Sequence, residues 1–401
     1  MSWRYQPPAF SPVTPASLVA GVLAAIRPSR EGEEHVIGEL CKRYHANDAL
    51  LTDSGTSALV IAIQMVLPRG GTIAYPAYAC PDLVAAALRA GVKVRLYDLD
   101  PMTMGPDLSS LRETIARGVD AILVAHLYGY PADVGAVNEV AAERDIPVIE
   151  DAAQGAGGDL RGARLGALAD LSILSFGRGK GMTAGSGGAL LARTPDNAAS
   201  MRRAASRLRD GSRGAREMVG LSAQWLLARP ELYRLPASIP ALKLGETVFR
   251  RPAEPRSISA AAAAVLPIAL STEDLERGHR VARARAFLAI LNEAAAGLVP
   301  VRPIPGGQSG FLRLAFLDAI GDTLPNESVG VTRGYPLTLD QHEQLRPILA
   351  TGESAGKGAQ RLRDRLLTVA THSRVGVADV ERFARWLSTQ ASSAHVEAFA
   401  T

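Results

Sequence analysis

Lys180 stands between glycines in the stretch Ser172 to Leu191, which reads Ser-Ile-Leu-Ser-Phe-Gly-Arg-Gly-Lys-Gly-Met-Thr-Ala-Gly-Ser-Gly-Gly-Ala-Leu-Leu. Apolar runs flank it, Leu171 to Phe176 and Ala189 to Ala192, so the pattern predicts a strand, a bare loop carrying one amine, and a second strand. A lysine with so little bulk around it can approach a ligand carbonyl, and partial desolvation makes its amine nucleophilic. Taken alone, a solvated lysine in a glycine-rich hairpin is the commoner cause of such a pattern. Upstream, the apolar run Ile146 to Ile149 ends directly in Glu150 and Asp151, followed by Ala152, Ala153 and Gln154. Parallel sheets bind ligands at the carboxyl ends of their strands. An aspartate there can keep a pyridine nitrogen protonated, with Gln154 in reach of an adjacent ring oxygen; the plainer role for Asp151 is a helix N-cap. Further upstream, Asp53-Ser54-Gly55-Thr56-Ser57-Ala58-Leu59 is a hydroxyl-rich turn opening an apolar helix. Backbone N–H groups at a helix start, joined by hydroxyls, form a phosphate cup, although an ordinary capped helix carries the same residues.

In chain order the three stretches supply a phosphate cup, a carboxylate for a pyridine nitrogen and an amine able to condense with an aldehyde. Pyridoxal 5'-phosphate (PLP) needs that set. Gly55-Thr56-Ser57-Ala58-Leu59, Ala125-His126-Leu127-Tyr128-Gly129, Glu150-Asp151-Ala152-Ala153-Gln154, and Ser175-Phe176 followed by Lys180 occur in this order. With them the chain resembles the DegT/DnrJ/StrS aminotransferases, fold type I PLP enzymes acting mostly on keto-sugar nucleotides, from about Gly32 to Arg193 and more faintly beyond. The resemblance implies an α/β fold with a mostly parallel sheet in a large domain and a smaller C-terminal α+β domain. It also implies an aminotransferase taking an amino group from glutamate or glutamine to a keto-sugar nucleotide or related ketone, in a homodimer. Lys180 would be the catalytic residue, Asp151 and Gln154 would hold the ring, and Gly55, Thr56, Ser57 and Ser175 the phosphate. The family's sugar dehydratases replace this lysine by histidine, so Lys180 argues against that outcome. A non-catalytic sugar-nucleotide binding homologue is the rival of another class, because fold alone does not fix function.

Departures from the family pattern are local. The family often carries a threonine and then a ring-stacking aromatic where Ala79 and Cys80 stand, which leaves Tyr78 or Cys80 to cover the ring. Ser186 replaces a common acidic residue of the glycine-rich loop, and Arg178 is an unusual charge beside the lysine. Glu254 occupies the place of an asparagine that in the family reaches the partner subunit's phosphate. His126 ends a strand at the same rim as Asp151, and hydrogen-bonded support is expected of it more than catalysis.

With 401 residues the chain can hold two domains, expected at 1–250 and 251–401. Hydrophobic residues make up 47% and charged ones 21%, a globular balance. The net charge is +4. Arg202, Arg203, Arg207, Arg209, Arg213 and Arg216 form a basic cluster, expected on a solvated helix face, and without interleaved aromatics no nucleic-acid partner is expected. Cys41 and Cys80 show no metal-ligand spacing, so no metal site is expected, and unpaired thiols point to a reducing, cytoplasmic location. Ala16 to Ile26 has the length of a signal core, but Pro7, Pro8, Pro12 and Pro15 crowd its approach and Arg27 follows, which predicts a packed helix. No run reaches the roughly 18 to 20 apolar residues of a membrane span.

Helices are expected at Pro15 to Ile26 and Glu31 to Tyr44. Then come strands near 49–52, 72–75, 92–97, 120–126 and 146–150, alternating with helices near 56–67, 81–90, 107–117 and 133–145. This is the rhythm of a parallel sheet covered on both faces. Between Ala199 and Arg251 the chain carries extra sequence, with an apolar helix at Met218 to Leu227 and a Leu/Pro-rich run to Leu244. Exposed, it would suit a partner or a lipid-linked substrate; packing on its own domain is the expectation. Beyond Arg251, helices are expected at 257–266, 273–291, 338–346 and 377–387, and strands at 311–316, 329–332 and 367–372.

Overall fold

Each βα step of the first half begins with a short apolar strand and closes on a helix, and the repetition builds one sheet. The computed structural model describes residues 4–29, 31–239, 249–251, 253–294, 297–321 and 323–398, with side chains as far as Gln390 apart from that of Glu31. Helices α1 (Pro15–Ile26) and α2 (Glu31–Tyr44) come first. Strand β1 (Asp48–Thr52) leads into α3 (Gly55–Val66), β2 (Thr72–Pro76) into α4 (Asp82–Ala90), and β3 (Lys93–Tyr97) into α5 (Leu108–Ala116). Strand β4 (Ala121–Ala125) leads into α6 (Val134–Ala142), and β5 (Val148–Asp151) completes the series. After a small hairpin, β6 (Asp159–Leu160) and β7 (Ala163–Arg164), come β8 (Leu171–Ser175) and β9 (Gly188–Ala192).

The sheet runs β1-β9-β8-β5-β4-β2-β3. Its pairs from β8 through β3 are parallel, while β9 lies antiparallel to both β1 and β8. This is the expected mostly parallel α/β sheet, with one reversal. That reversal follows from the lysine loop, which turns β8 straight back as β9 and leaves no length for a crossover helix. Consequently the loop, the end of β5 and the start of α3 share one rim.

Helices α7 (Pro195–Ala205), α8 (Ala215–Leu227) and the single turn α9 (Arg234–Ala237) follow. Met218 and Leu221 of α8 are buried, whereas Val219 and Leu226 point outward at 72% and 50% exposure, so the helix packs on its own domain by one face only. The end of the expected Leu/Pro-rich run lies outside the described residues. Helix α10 (Ala260–Glu293) is continuous through Pro267, where two helices were expected. A proline removes one backbone bond; here Ala261, Ala262, Ala263, Val265, Leu266, Ala269 and Leu270 are all buried around it, and that packing outweighs the lost bond. The first half of α10 lies in a core shared with α1, α2 and β9, and its second half, from Ala284 to Leu291, in another.

That other core belongs to a sheet ordered β10 (Leu298–Pro300), β12 (Arg313–Asp318), β14 (Leu366–Ala370), β13 (Val331–Arg333), entirely antiparallel. Strand β11 (Gly307–Gln308) joins the small hairpin. Helices α11 (Lys357–Arg365) and α12 (Val377–Ala398) complete the α+β unit. The expected helix at 338–346 is a single 3-10 turn, Leu339–Gln341, confined between Pro336 and Pro347. The N-terminal segment packs against this second unit: Arg4 pairs with Asp379 at 2.9 Å, Arg313 donates to the Pro8 carbonyl, and His372 donates to that of Pro7 at 2.9 Å. Ser11 of the same segment donates to the Lys180 carbonyl, so residues 4–13 strap the small sheet to the lysine loop.

Candidate active site

Ser54 caps α3 in an extended conformation, accepting from the Ser57 N–H at 3.1 Å while its own hydroxyl donates to Ser57 at 3.0 Å. The helix start leaves the Gly55 and Thr56 N–H groups without intrahelical acceptors. Ser175, at the end of β8, lies directly across from Gly55: a β-carbon on that glycine would sit 2.8 Å from the Ser175 β-carbon, so only glycine lets the two segments meet. The hydroxyls of Thr56 and Ser175 have no hydrogen-bond partner among the described residues. Two backbone donors and two free hydroxyls therefore converge at one helix terminus, a fit for phosphate.

Asp151 ends β5, paired with Ala125 on one side and Ile173 on the other. No helix starts there, which sets the N-cap alternative aside, and its Oδ1 accepts the Ala153 N–H at 2.9 Å. Burial raises the Asp151 carboxyl above its ordinary range, against the Ala153 bond and the charge of Lys180, which lower it. A half-buried carboxylate with no cation bonded to it among the described residues suits a protonated ring nitrogen, which would supply the missing charge. Lys180 lies in the loop between β8 and β9, and its charge is also felt by Cys80, whose thiol burial pushes up to about 12. Gln154 is oriented by the Tyr128 N–H, which donates to its Oε1 at 3.0 Å, while its Nε2 donates to the Tyr335 hydroxyl at 2.5 Å. One amide proton remains for a ring oxygen. Tyr78 is fully buried, its hydroxyl accepting the Tyr335 N–H at 2.6 Å, and of the two stacking candidates Cys80 is the one in the electrostatic neighbourhood of Lys180 and Asp151.

His126 does not meet Asp151 by its side chain. Its Nδ1 accepts the Ala132 N–H at 3.0 Å, which leaves Nε2–H to donate to Glu150 Oε1 at 2.9 Å. Glu150, wholly buried, also accepts from the N–H groups of Gly166, Leu168 and Ala169 and from the Ser172 hydroxyl. Burial works to raise its carboxyl, but the bonds from His126 and the backbone outweigh that and leave it lowered. Together with the His126 N–H bonded to the Asp151 carbonyl at 3.0 Å, this clamp fixes the end of β5.

The chain matches the DegT/DnrJ/EryC1/StrS aminotransferase family over residues 32–223. That segment is a little under half of the chain, and over it the chain is similar to this family. Among curated relatives, Protein MosB of Rhizobium meliloti is 34% identical over 150 residues, 37% of this chain and 30% of that protein. GDP-perosamine synthase of Caulobacter vibrioides is 32% identical over 170 residues, 42% of this chain and 45% of the other. The chain thus spans less than half the length of these curated relatives. The fold extends further: Helicobacter pylori PseC, an aminotransferase involved in pseudoaminic acid biosynthesis, aligns with a TM-score of 0.78 at 14% identity, covering 97% of this chain and 100% of PseC.

Two features depart from the pattern of the family that the chain resembles. Ser186, where the family often has an acid, donates to Glu217 Oε1 of α8 at 3.2 Å, so the additional helix brings a carboxylate to the loop from outside it. Glu254 pairs with Arg209 at 3.0 Å and Arg89 at 3.5 Å within its own chain. Sequence reasoning missed Glu217 and Tyr335, and neither carries a local signal: one lies on an amphipathic helix and the other on a loop of the small unit. Among the described residues no helix is long and apolar enough to cross a membrane, and no group of three or more His, Cys, Asp and Glu residues could hold a metal ion.

Proposed function

We propose that the chain is a PLP-dependent aminotransferase that moves an amino group from glutamate or glutamine to a keto-sugar nucleotide or related ketone, as a cytoplasmic homodimer. The reading rests above all on the free hydroxyls of Thr56 and Ser175, the half-buried carboxylate of Asp151 and the amine of Lys180 sharing one rim of one sheet. The names of the relatives, among them GDP-perosamine synthase, support a sugar acceptor.

PLP bound there would supply an electron sink for the carbanion left when an amino acid loses its α-proton. Gly55, Thr56, Ser57 and Ser175 would bind the phosphate and so fix the ring's position. Asp151 would keep a proton on the ring nitrogen, and Gln154 would donate its remaining N–H to the ring oxygen. Lys180 Nζ would take the donor's α-proton and return it, acting as base and then acid. Cys80 would lie against the ring where an aromatic is usual, giving up part of the stacking area.

The test is the visible spectrum of the purified protein with and without glutamate or glutamine, beside Lys180→Ala. The expected result is a cofactor band that the donor bleaches in the wild type and that the variant neither shows nor loses. A wild type that takes up no PLP, or takes it up identically without Lys180, overturns the reading in favour of a binding role.

A further inference from the structure

Helix α10 buries three charged side chains, Glu273, Glu276 and Arg280, at 1%, 2% and 0% exposure, spaced three and four residues apart on one face. Burying a charge costs several kcal/mol unless its hydrogen bonds are made. Each of the three is spent on a loop backbone. Glu273 accepts the Gly157 N–H at 3.1 Å and pairs with Arg43 and Arg164; Glu276 accepts the Ser373 N–H at 2.9 Å.

Arg280, with the charges of Glu276 and Glu273 near it, forms no ion pair among the described residues and gives its donors to backbone carbonyls. Its Nε donates to the Gly310 carbonyl at 2.9 Å, its Nη2 to that of Ala156 at 3.2 Å and its Nη1 to that of Gly181 at 3.4 Å. These carbonyls come from three separate loops. Gly181 follows Lys180, Ala156 stands two residues beyond Gln154, and Gly310 leads into β12 of the small sheet. The lysine loop and the 152–158 loop touch at this point: a β-carbon on Gly181 would run into that of Ala156, and one on Gly157 would lie 2.9 Å from Arg280 Nη2. Only a planar guanidinium presents donors in enough directions to span three such acceptors.

We propose that Arg280 is a positioning residue that locks the Lys180 loop to the Gln154 loop and so sets where the lysine amine stands relative to Asp151. The pinning of the loops is independent of what the site binds, whereas its consequence for Lys180 rests on the cofactor reading above.

Arg280→Gln and Arg280→Lys test it on the full chain. By hydrogen exchange read with mass spectrometry, peptides covering 153–158 and 177–187 should exchange at least about tenfold faster in Arg280→Gln, with those of α3 and β4 unchanged. Arg280→Lys should fall between. In the PLP-loaded protein, kcat for the donor half-reaction should drop about a hundredfold with KM held within about threefold. The pH at which the visible band titrates should move as well, which a merely structural role would not cause. Unchanged exchange in both loops, exchange raised throughout the protein, or unaltered kcat and band titration in a folded variant each overturn the proposal. So does failure of both variants to fold, which would make Arg280 a scaffold residue. If the wild type binds no PLP, the cofactor reading falls while the exchange result still decides the pinning.

Discussion

His372 should make the protein acid-labile in a defined window. It ends the stretch after β14, is fully buried and donates from Nε2 to the Pro7 carbonyl at 2.9 Å. Burial is the main cause that lowers its pKa from 6.5 to about 4, with Arg313 and Arg374 adding to the effect and the Pro7 bond and Asp379 opposing it. The folded chain therefore binds fewer protons than the unfolded chain between these values, and stability rises with pH across the window. Stability from this group is complete above pH 6.5 and is lost as pH falls toward 4. The full difference is about 3 kcal/mol, with about 1.4 kcal/mol already gone at pH 5.5. That is a large share of a typical folding free energy. The assay is the urea-unfolding midpoint from pH 7.5 to 4.5 for the wild type and His372→Gln, which keeps a donor for Pro7 and cannot titrate. Carboxylate titrations are common to both proteins, so subtracting one profile from the other isolates His372. The variant should lose clearly less stability on acidification; parallel profiles would refute the reasoning. Because the Pro7 segment runs on to Ser11 and the Lys180 carbonyl, hydrogen exchange of the lysine loop should quicken over the same pH range in the wild type.

Asp151→Asn should raise the urea midpoint of the cofactor-free protein, since burial holds that carboxyl high, while donor turnover falls by about 10²–10³-fold in stopped-flow absorbance. Thr56→Val combined with Ser175→Ala should weaken PLP binding by about 1.5–3 kcal/mol for each lost bond and leave binding of dephosphorylated pyridoxal unchanged, both read by fluorescence titration. Glu150→Gln should cost about 3–5 kcal/mol of stability by urea unfolding, because it breaks a fully buried pair and unsettles the donors that converge on the carboxylate.

The large sheet was legible because each of its βα steps is local: β1 to β5 and their helices lie within a few residues of where apolar runs and caps put them. What escaped depends on how a loop closes and on contacts distant in sequence. The antiparallel course of β9 follows from how tightly the lysine loop closes, and the continuity of α10 across Pro267 from a core supplied by α1 and α2. The same division runs through the site. Lys180, Asp151, Gln154, Thr56 and Ser175 sit in short motifs from which the proposed roles are read, and the fold brings those motifs to one rim.

Arg280, Glu217 and Tyr335 act on that rim from 100, 31 and 181 residues away from Lys180, Ser186 and Gln154 respectively, and nothing adjacent in the chain marks them. Chemistry needs particular atoms and so writes itself into short motifs. Holding those atoms still needs only a donor or acceptor at the right point in space, which many elements can supply. Glu217 illustrates this: the acid usual in the family's loop is absent at Ser186, yet a carboxylate reaches the same loop from α8. If α8 replaces that acid, Glu217→Gln should alter the lysine loop's exchange and the titration of the cofactor band together. Changes at exposed Val219, two residues along the same helix, should affect neither.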